Sequence, residues 1–398
     1  MTIQPNTRSA LAPNRNVALY HVLSLVLYCS FVNGNWIFFW TRLMSYGQLG
    51  VVDASAFGFG LFMEVPTGAL ADMLGKKRTM QVAMLLGALG ILAMASGDTL
   101  LQLWLGFLVL QAGWAFFSGS AEALAFDSLK EQGQELLFER VLALNHRMGI
   151  LMVVISTLIG GVLYNLDFRL PHYAWGFAYV LGFVVAFFVV EPKVVAEARF
   201  SLRGYFRQLG EGFRQLAQPA LRRYMPLIFA LLGAYVLYSF GFVQPAMAVH
   251  FGFMADAQAV VVALLGICAA LAVGYVPALR QRFGDMTGLA LLALMLALGL
   301  LGGMLPLGVW GFATMLLIRL AGALSSPWVS VIVNREISSE ARATTLSTVS
   351  LLAKIPYVVT AVIGGEMVEA GQFGLFTSAV ALFVLVMLGI SLGFRKAS

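Results

Sequence analysis

Long apolar runs separated by short polar loops organise the chain. They fall at Val17 to Met44, Val51 to Met73, Met80 to Ser96, Leu100 to Phe126, Phe138 to Leu163 and Tyr173 to Val190. After a polar stretch the pattern resumes at Tyr224 to Phe251, Ala255 to Leu279, Thr287 to Leu305, Gly308 to Val333, Ala343 to Met367 and Phe373 to Phe394. A bilayer core about 30 Å thick takes roughly 20 apolar residues of helix to cross, so each run predicts one span. The expected fold class is an all-α membrane protein of twelve transmembrane helices in two six-helix bundles. Residues 1–16 read as a cytoplasmic tail, 17–191 as the N-terminal bundle, 192–222 as a cytoplasmic linker and 223–398 as the C-terminal bundle.

Composition removes the soluble alternative. The 398 residues are 60% hydrophobic and 11% charged, where soluble domains carry about 25% charged residues. The net charge of +6 concerns topology rather than nucleic acid. Lys and Arg gather in the tail, at Lys76 to Arg78, at Lys130 and Arg140, and between Lys193 and Arg223, while Arg42 and Arg169 alone fall near the opposite face. The positive-inside rule then places both termini in the cytoplasm. The expected location of this multi-pass chain is a bacterial inner membrane. The tail lacks the apolar core and cleavage site of a signal peptide. Cys29 and Cys268 sit inside apolar runs, without metal or redox spacing, and read as packing residues. In the linker, Leu202, Phe206, Leu209, Phe213 and Leu216 recur at helical spacing among arginines, predicting an amphipathic helix on the lipid surface.

The halves repeat. LADMLGKK at Leu70 matches LRQRFGDM at Leu279, RVLAL at Arg140 matches RATTL at Arg342, and STLIGG at Ser156 matches TAVIGG at Thr360. The offset stays near roughly 200 residues, the signature of a duplicated unit. Two parallel copies with a pathway between them suit a transporter. Among these segments, GALADMLGKKR at Gly68 resembles the loop motif between the second and third helices of the major facilitator superfamily. EVPTG at Glu64, FDS at Phe126 and RATTLS at Arg342 are similar to a bacterial subgroup of drug and small-metabolite exporters. Two positions depart from the exporter patterns. Leu108 stands where proton-coupled members carry an arginine, and Ser156 and Thr157 stand where the antiporter motif has glycine and proline.

The resemblance implies a gate built from Gly68, Asp72, Gly75, Lys76 and Arg78, in which Asp72 faces the positive N-terminus of a helix in the other bundle. Asp127 and Arg140 flank a short loop and are expected to tie helix ends together. Gln281 takes the Asp72 position in the second half, which leaves this latch one-sided.

Charges inside the spans are costly and mark partners or pathways. Glu64 and Arg147 reach similar depth, about 14 Å by helical rise, and Arg319 and Lys354 about 16 Å. Glu64, Glu122, His146 and Arg147 are the proton-coupling candidates. Asn33, Trp36, Gln111, Trp114, Tyr235, Tyr238, Arg319, Lys354 and Tyr357 are the candidates for a solute cavity. The cations there argue for an anionic or zwitterionic solute, including siderophore-like carboxylates, while neutralisation by Glu64 or Glu122 would leave a pocket for lipophilic cations. No paired histidines, metal-ligand set or nucleophile with a base appears, so neither an enzyme nor a cofactor is expected. The reading is a secondary active transporter, expected to be a monomer, that exports a small solute by alternating access against protons. The alternatives are a multidrug exporter or an uptake symporter.

Overall fold

A computed structural model describes residues 14–193, 202–337 and 342–397. Its regular structure is helical throughout the described residues, and each predicted apolar run is a helix or a broken helix. In chain order these are α1 (Arg15–Tyr28), α2 (Trp36–Trp40), α3 (Tyr46–Leu74), α4 (Lys76–Ser96), α5 (Leu100–Lys130), α6 (Phe138–Leu166) and α7 (Leu170–Ala186). The linker carries α8 (Leu202–Leu216) and α9 (Pro219–Arg222). The second half follows as α10 (Met225–Phe240), α11 (Val243–His250), α12 (Ala255–Val273), α13 (Val276–Phe283), α14 (Asp285–Leu301), α15 (Gly311–Glu336), α16 (Arg342–Glu369) and α17 (Phe373–Ala397). Among the described residues, 8 helices are long and apolar enough to cross a bilayer, and the pair α10 and α11, bent by 67°, makes a ninth.

Local chemistry sets the breaks. Ser45 and Thr99 open α3 and α5 with reciprocal capping boxes to Gln48 and Gln102, satisfying amides that the first helical turn leaves unpaired. Gly75 ends α3 and begins α4 at φ 81°, and Gly284 does the same between α13 and α14 at φ 72°. That left-handed conformation suits glycine, and its recurrence marks the repeat in the backbone itself.

Packing repeats as well. In the first half α4 lies against α5 and α7, α3 against α5, and α1 against α6 and α7. In the second, α14 lies against α15 and α17, α12 against α15, and α10 against α16 and α17. These are the same neighbours once the halves are superimposed in order. On α6, Leu144, Leu151, Ile155, Leu158 and Val162 form one exposed apolar stripe, the surface expected against lipid chains. Helix α8 packs beside α16 and leaves Phe206 exposed.

The halves meet through α3 with α16 and α6 with α12. Their close contacts gather at the Tyr46 end of α3. A Cβ on Gly50 would stand 2.5 Å from the Ala361 carbonyl oxygen, and one on Gly34 2.5 Å from the Ala259 Cα. The Glu369 carboxylate accepts the Gly47 amide at 3.1 Å, an anion at the N-terminus of a helix from the other half. At the Gly75 end, Ser118, Gly119 and Glu122 on α5 are exposed, so the space between the halves opens that way.

Gly50→Val should crowd the closed end by about 1–3 kcal/mol and raise the population open there about 5- to 160-fold. A cysteine at Trp36, with Cys29 and Cys268 replaced by serine, should react correspondingly faster with an impermeant maleimide supplied from the Tyr46 side. Unchanged labelling in folded protein would contradict the assigned contact.

Candidate functional site

Between the halves lies a cavity of about 480 Å³, within the range of small-molecule sites. Five of the proposed cavity residues line it, namely Asn33, Trp36, Gln111, Trp114 and Lys354, and so does the proton-coupling candidate Glu64. The rest of the wall mixes small and aliphatic residues with the aromatic rings of Trp40, Phe57, Phe107, Trp175 and Phe240, and comes mostly from the first half. Several polar groups are committed to structure. The Gln111 amide donates to the Ala56 carbonyl at 3.0 Å, Trp114 Nε1 donates to the Tyr179 hydroxyl at 2.8 Å, and Asn33 Oδ1 accepts from Ser30 at 3.1 Å.

Four proposed cavity residues stand elsewhere. Tyr238 is fully buried in the second half, with its hydroxyl near the Met315 carbonyl at 3.4 Å. Arg319 lies 5.9 Å from the Tyr235 ring centroid, and its buried Nε has no hydrogen-bond partner among the described residues. Tyr357 is fully buried behind the cavity wall and donates its hydroxyl to Asp53. The expected cluster of cations around the solute space is therefore corrected. Lys354 is the cation on the described wall, and Glu64 pairs with it at 3.3 Å. Depth along a helix follows from counting residues, but the face follows from packing, and α15 turns Arg319 into its own bundle.

Glu64 thus pairs across the halves with Lys354 rather than with Arg147. Glu122, His146 and Arg147 are exposed and do not line the cavity. A carboxylate outside the coupling candidates, Asp53, is more buried than Glu64. Asp53 is 6% exposed, whereas the Glu64 side chain is 46% exposed. Asp53 escaped notice because its apolar run starts at Val51, while the helix starts at Tyr46 and places this carboxylate about 10 Å inside at helical rise. The Ser45 and Gln48 spacing is a capping-box signal that would have moved the start. Around Asp53, Tyr357 supplies a hydroxyl, the Phe242 backbone lies in hydrogen-bonding contact beyond the α10 break, and Phe57 stacks edge-on to Tyr357 at 4.7 Å. His172 is 1% exposed, lines the cavity and packs on Phe39 at 4.1 Å.

At the Gly75 turn the amides of Lys76 and Lys77 donate to the Glu191 carboxylate at 2.7 and 2.8 Å. Glu191 was not among the gate candidates, although a carboxylate suits a helix N-terminus. A Cβ on Gly75 would meet Glu191 Oε1 at 2.8 Å, so this glycine serves both the turn and the cap. Gly68 and Asp72 lie on α3, Arg78 lies on α4, and the surroundings of the Gly68 and Asp72 side chains are outside the described residues. Residues 1–13 of the expected tail and residues 194–201 of the expected linker also lie outside the described residues. No described ion pair joins Asp127 to Arg140. At the corresponding turn of the second half, Asp285 bridges Arg280 and Arg335, each at 2.6 Å.

Two repeated helical bundles around a central cavity, with apolar outer helices, define a multi-pass membrane transporter rather than an enzyme. The sequence matches the Major Facilitator Superfamily over residues 21–361, and the chain belongs to that family. No curated protein matches it. Solved structures share the fold. A point mutant of the nucleoside transporter NupG aligns with TM-score 0.77 at 16% identity, covering 95% of this chain and 99% of that one. A bacterial homolog of the human lysosomal transporter Spinster, inward-facing and unoccupied, aligns at 0.70 and 15%, covering 97% and 98%. A D-xylose-proton symporter aligns at 0.66 and 14%, covering 93% and 96%.

Glu191→Gln should lower stability by about 0.5–2 kcal/mol, the usual weight of a helix cap. Thermal unfolding of the purified variant checks this, and an unchanged midpoint would show that the cap carries no such weight.

Proposed function

We propose that the chain is a secondary active transporter with twelve spans and both termini cytoplasmic, which moves a small solute across a bacterial inner membrane by alternating access. The observation that carries this reading is a cavity between repeated halves, closed at one end by contacts between glycines and opposing backbone and open at the other. With the basic Gly75 loop in the cytoplasm, this arrangement faces inward. Rocking the halves would separate α3 from α16 and α6 from α12 at the Tyr46 end and bring the Gly75 ends together.

Asp53 is our choice for the coupling group in place of Glu64 or Glu122. A buried carboxylate must keep its hydrogen bonds or lose its charge, and this one takes a hydroxyl from the opposite half. Parting α3 from α16 breaks that bond, so the occupancy of a proton on Asp53 and the position of the halves are linked. Export in exchange for protons is the preferred direction, on the resemblance of EVPTG at Glu64, FDS at Phe126 and RATTLS at Arg342 to exporter motifs. Uptake with a proton is the second reading, favoured by the likeness in fold to the D-xylose-proton symporter.

Proteoliposomes bearing an imposed proton gradient, screened with labelled amino acids, sugars, nucleosides and cationic dyes, test the proposal. Saturable, gradient-driven flux of at least one solute is expected, and its sign decides between export and uptake. Asp53→Asn should abolish gradient-driven accumulation while retaining solute exchange. Full accumulation in that variant would remove Asp53 from coupling, and the absence of flux for the whole panel would count against transport.

A further inference from the structure

The cavity wall has an unusual charge arrangement. Glu64 belongs to α3 of the first half and Lys354 to α16 of the second, their charged atoms lie 3.3 Å apart, and their side chains are 46% and 29% exposed. Both line the cavity together with Trp36, Trp114, Trp175 and Phe240. From this we propose that the transported solute is a zwitterion resembling an α-amino acid with an apolar or aromatic body, and that Glu64 and Lys354 bind its ammonium and carboxylate. The proposal rests on the transport reading above and narrows its substrate.

The reasoning is one of charge balance. An ion pair this wet contributes about 0–1 kcal/mol, so separating it costs little. A zwitterion replaces one weak contact with two charge-assisted ones and leaves neither Glu64 nor Lys354 without a counterpart. A solute with only a carboxylate would satisfy Lys354 but meet Glu64 as a like charge. A solute with only an ammonium would satisfy Glu64 and meet Lys354. Discrimination of this kind comes from the repulsive partner as much as from the attractive one. Asp53, the third charged group on the wall, is held by Tyr357 and does not compete for the ammonium in this conformation. The aromatic surface then takes the body of the solute. Because the two charges come from opposite halves, one bound zwitterion touches both, which ties its presence to their relative position.

Calorimetric titration of the purified full-length protein in detergent tests this with L-phenylalanine, L-tryptophan and L-leucine as zwitterions, phenethylamine as the cation and 3-phenylpropionate as the anion. At least one zwitterion should bind about tenfold or more tighter than both singly charged analogues, the equivalent of one charged contact. Glu64→Gln should narrow the gap to 3-phenylpropionate, and Lys354→Gln the gap to phenethylamine. Equal binding of either analogue, no binding of any zwitterion, or a selectivity that neither variant moves would overturn the proposal. Gradient-driven flux of a sugar, nucleoside or dye in the proteoliposome screen would then leave the transport reading standing without it.

Discussion

The close approach of the two halves at the Tyr46 end is the constraint on which the remaining structure depends. Gly50 faces the Ala361 carbonyl and Gly365, and Gly34 and Gly161 face Ala259. Apolar side chains provide no hydrophobic drive for helix association inside lipid, so small residues that let backbones touch supply van der Waals contact instead. This contact also makes the junction reversible. Few polar groups bridge it: the buried Asp53 meets the Tyr357 hydroxyl and the Phe242 backbone, and the exposed Glu369 accepts the Gly47 amide.

With that end shut, the position of the cavity follows. Farther along α3 and α16 from that contact, Glu64 and Lys354 pair on the cavity wall, where solvent reaches them. Polar groups are graded along one helix pair. Glu369 lies at the mouth of the seam, Asp53 within it, and Glu64 in the cavity. A solute that displaces the Glu64 and Lys354 pair and a proton that occupies Asp53 therefore act on the same two helices, which gives coupling a short physical route.

Much of the fold was legible in the sequence, because helix length and apolarity are read directly along the chain. The twelve apolar runs all correspond to helices or broken helices, and the GKK and GDM segments correspond to the two positive-φ turns at Gly75 and Gly284. The candidate site was legible in part. Trp36, Gln111, Trp114 and Lys354 line the cavity, whereas Arg319 and Tyr238 turn into the second bundle. The difference is azimuth: residue counting gives depth, but which face meets the other half depends on contacts between helices far apart in sequence. Asp53 was hidden by a helix start placed five residues late, and Glu191 by a partner more than a hundred residues away.

Paired spin labels report most directly on whether the two ends move reciprocally. Gln48 with Gln372 spans the closed end and Glu131 with Arg282 the open end, in protein whose two cysteines are replaced by serine. Pulsed electron–electron resonance should give a short distance for the first pair and a long one for the second in the wild-type background. Under conditions that populate the other state, such as the Asp53→Asn background, the first distance should lengthen in the same fraction of molecules in which the second shortens. Distances that lengthen together, or a closed end that never opens, would contradict alternating access about this seam.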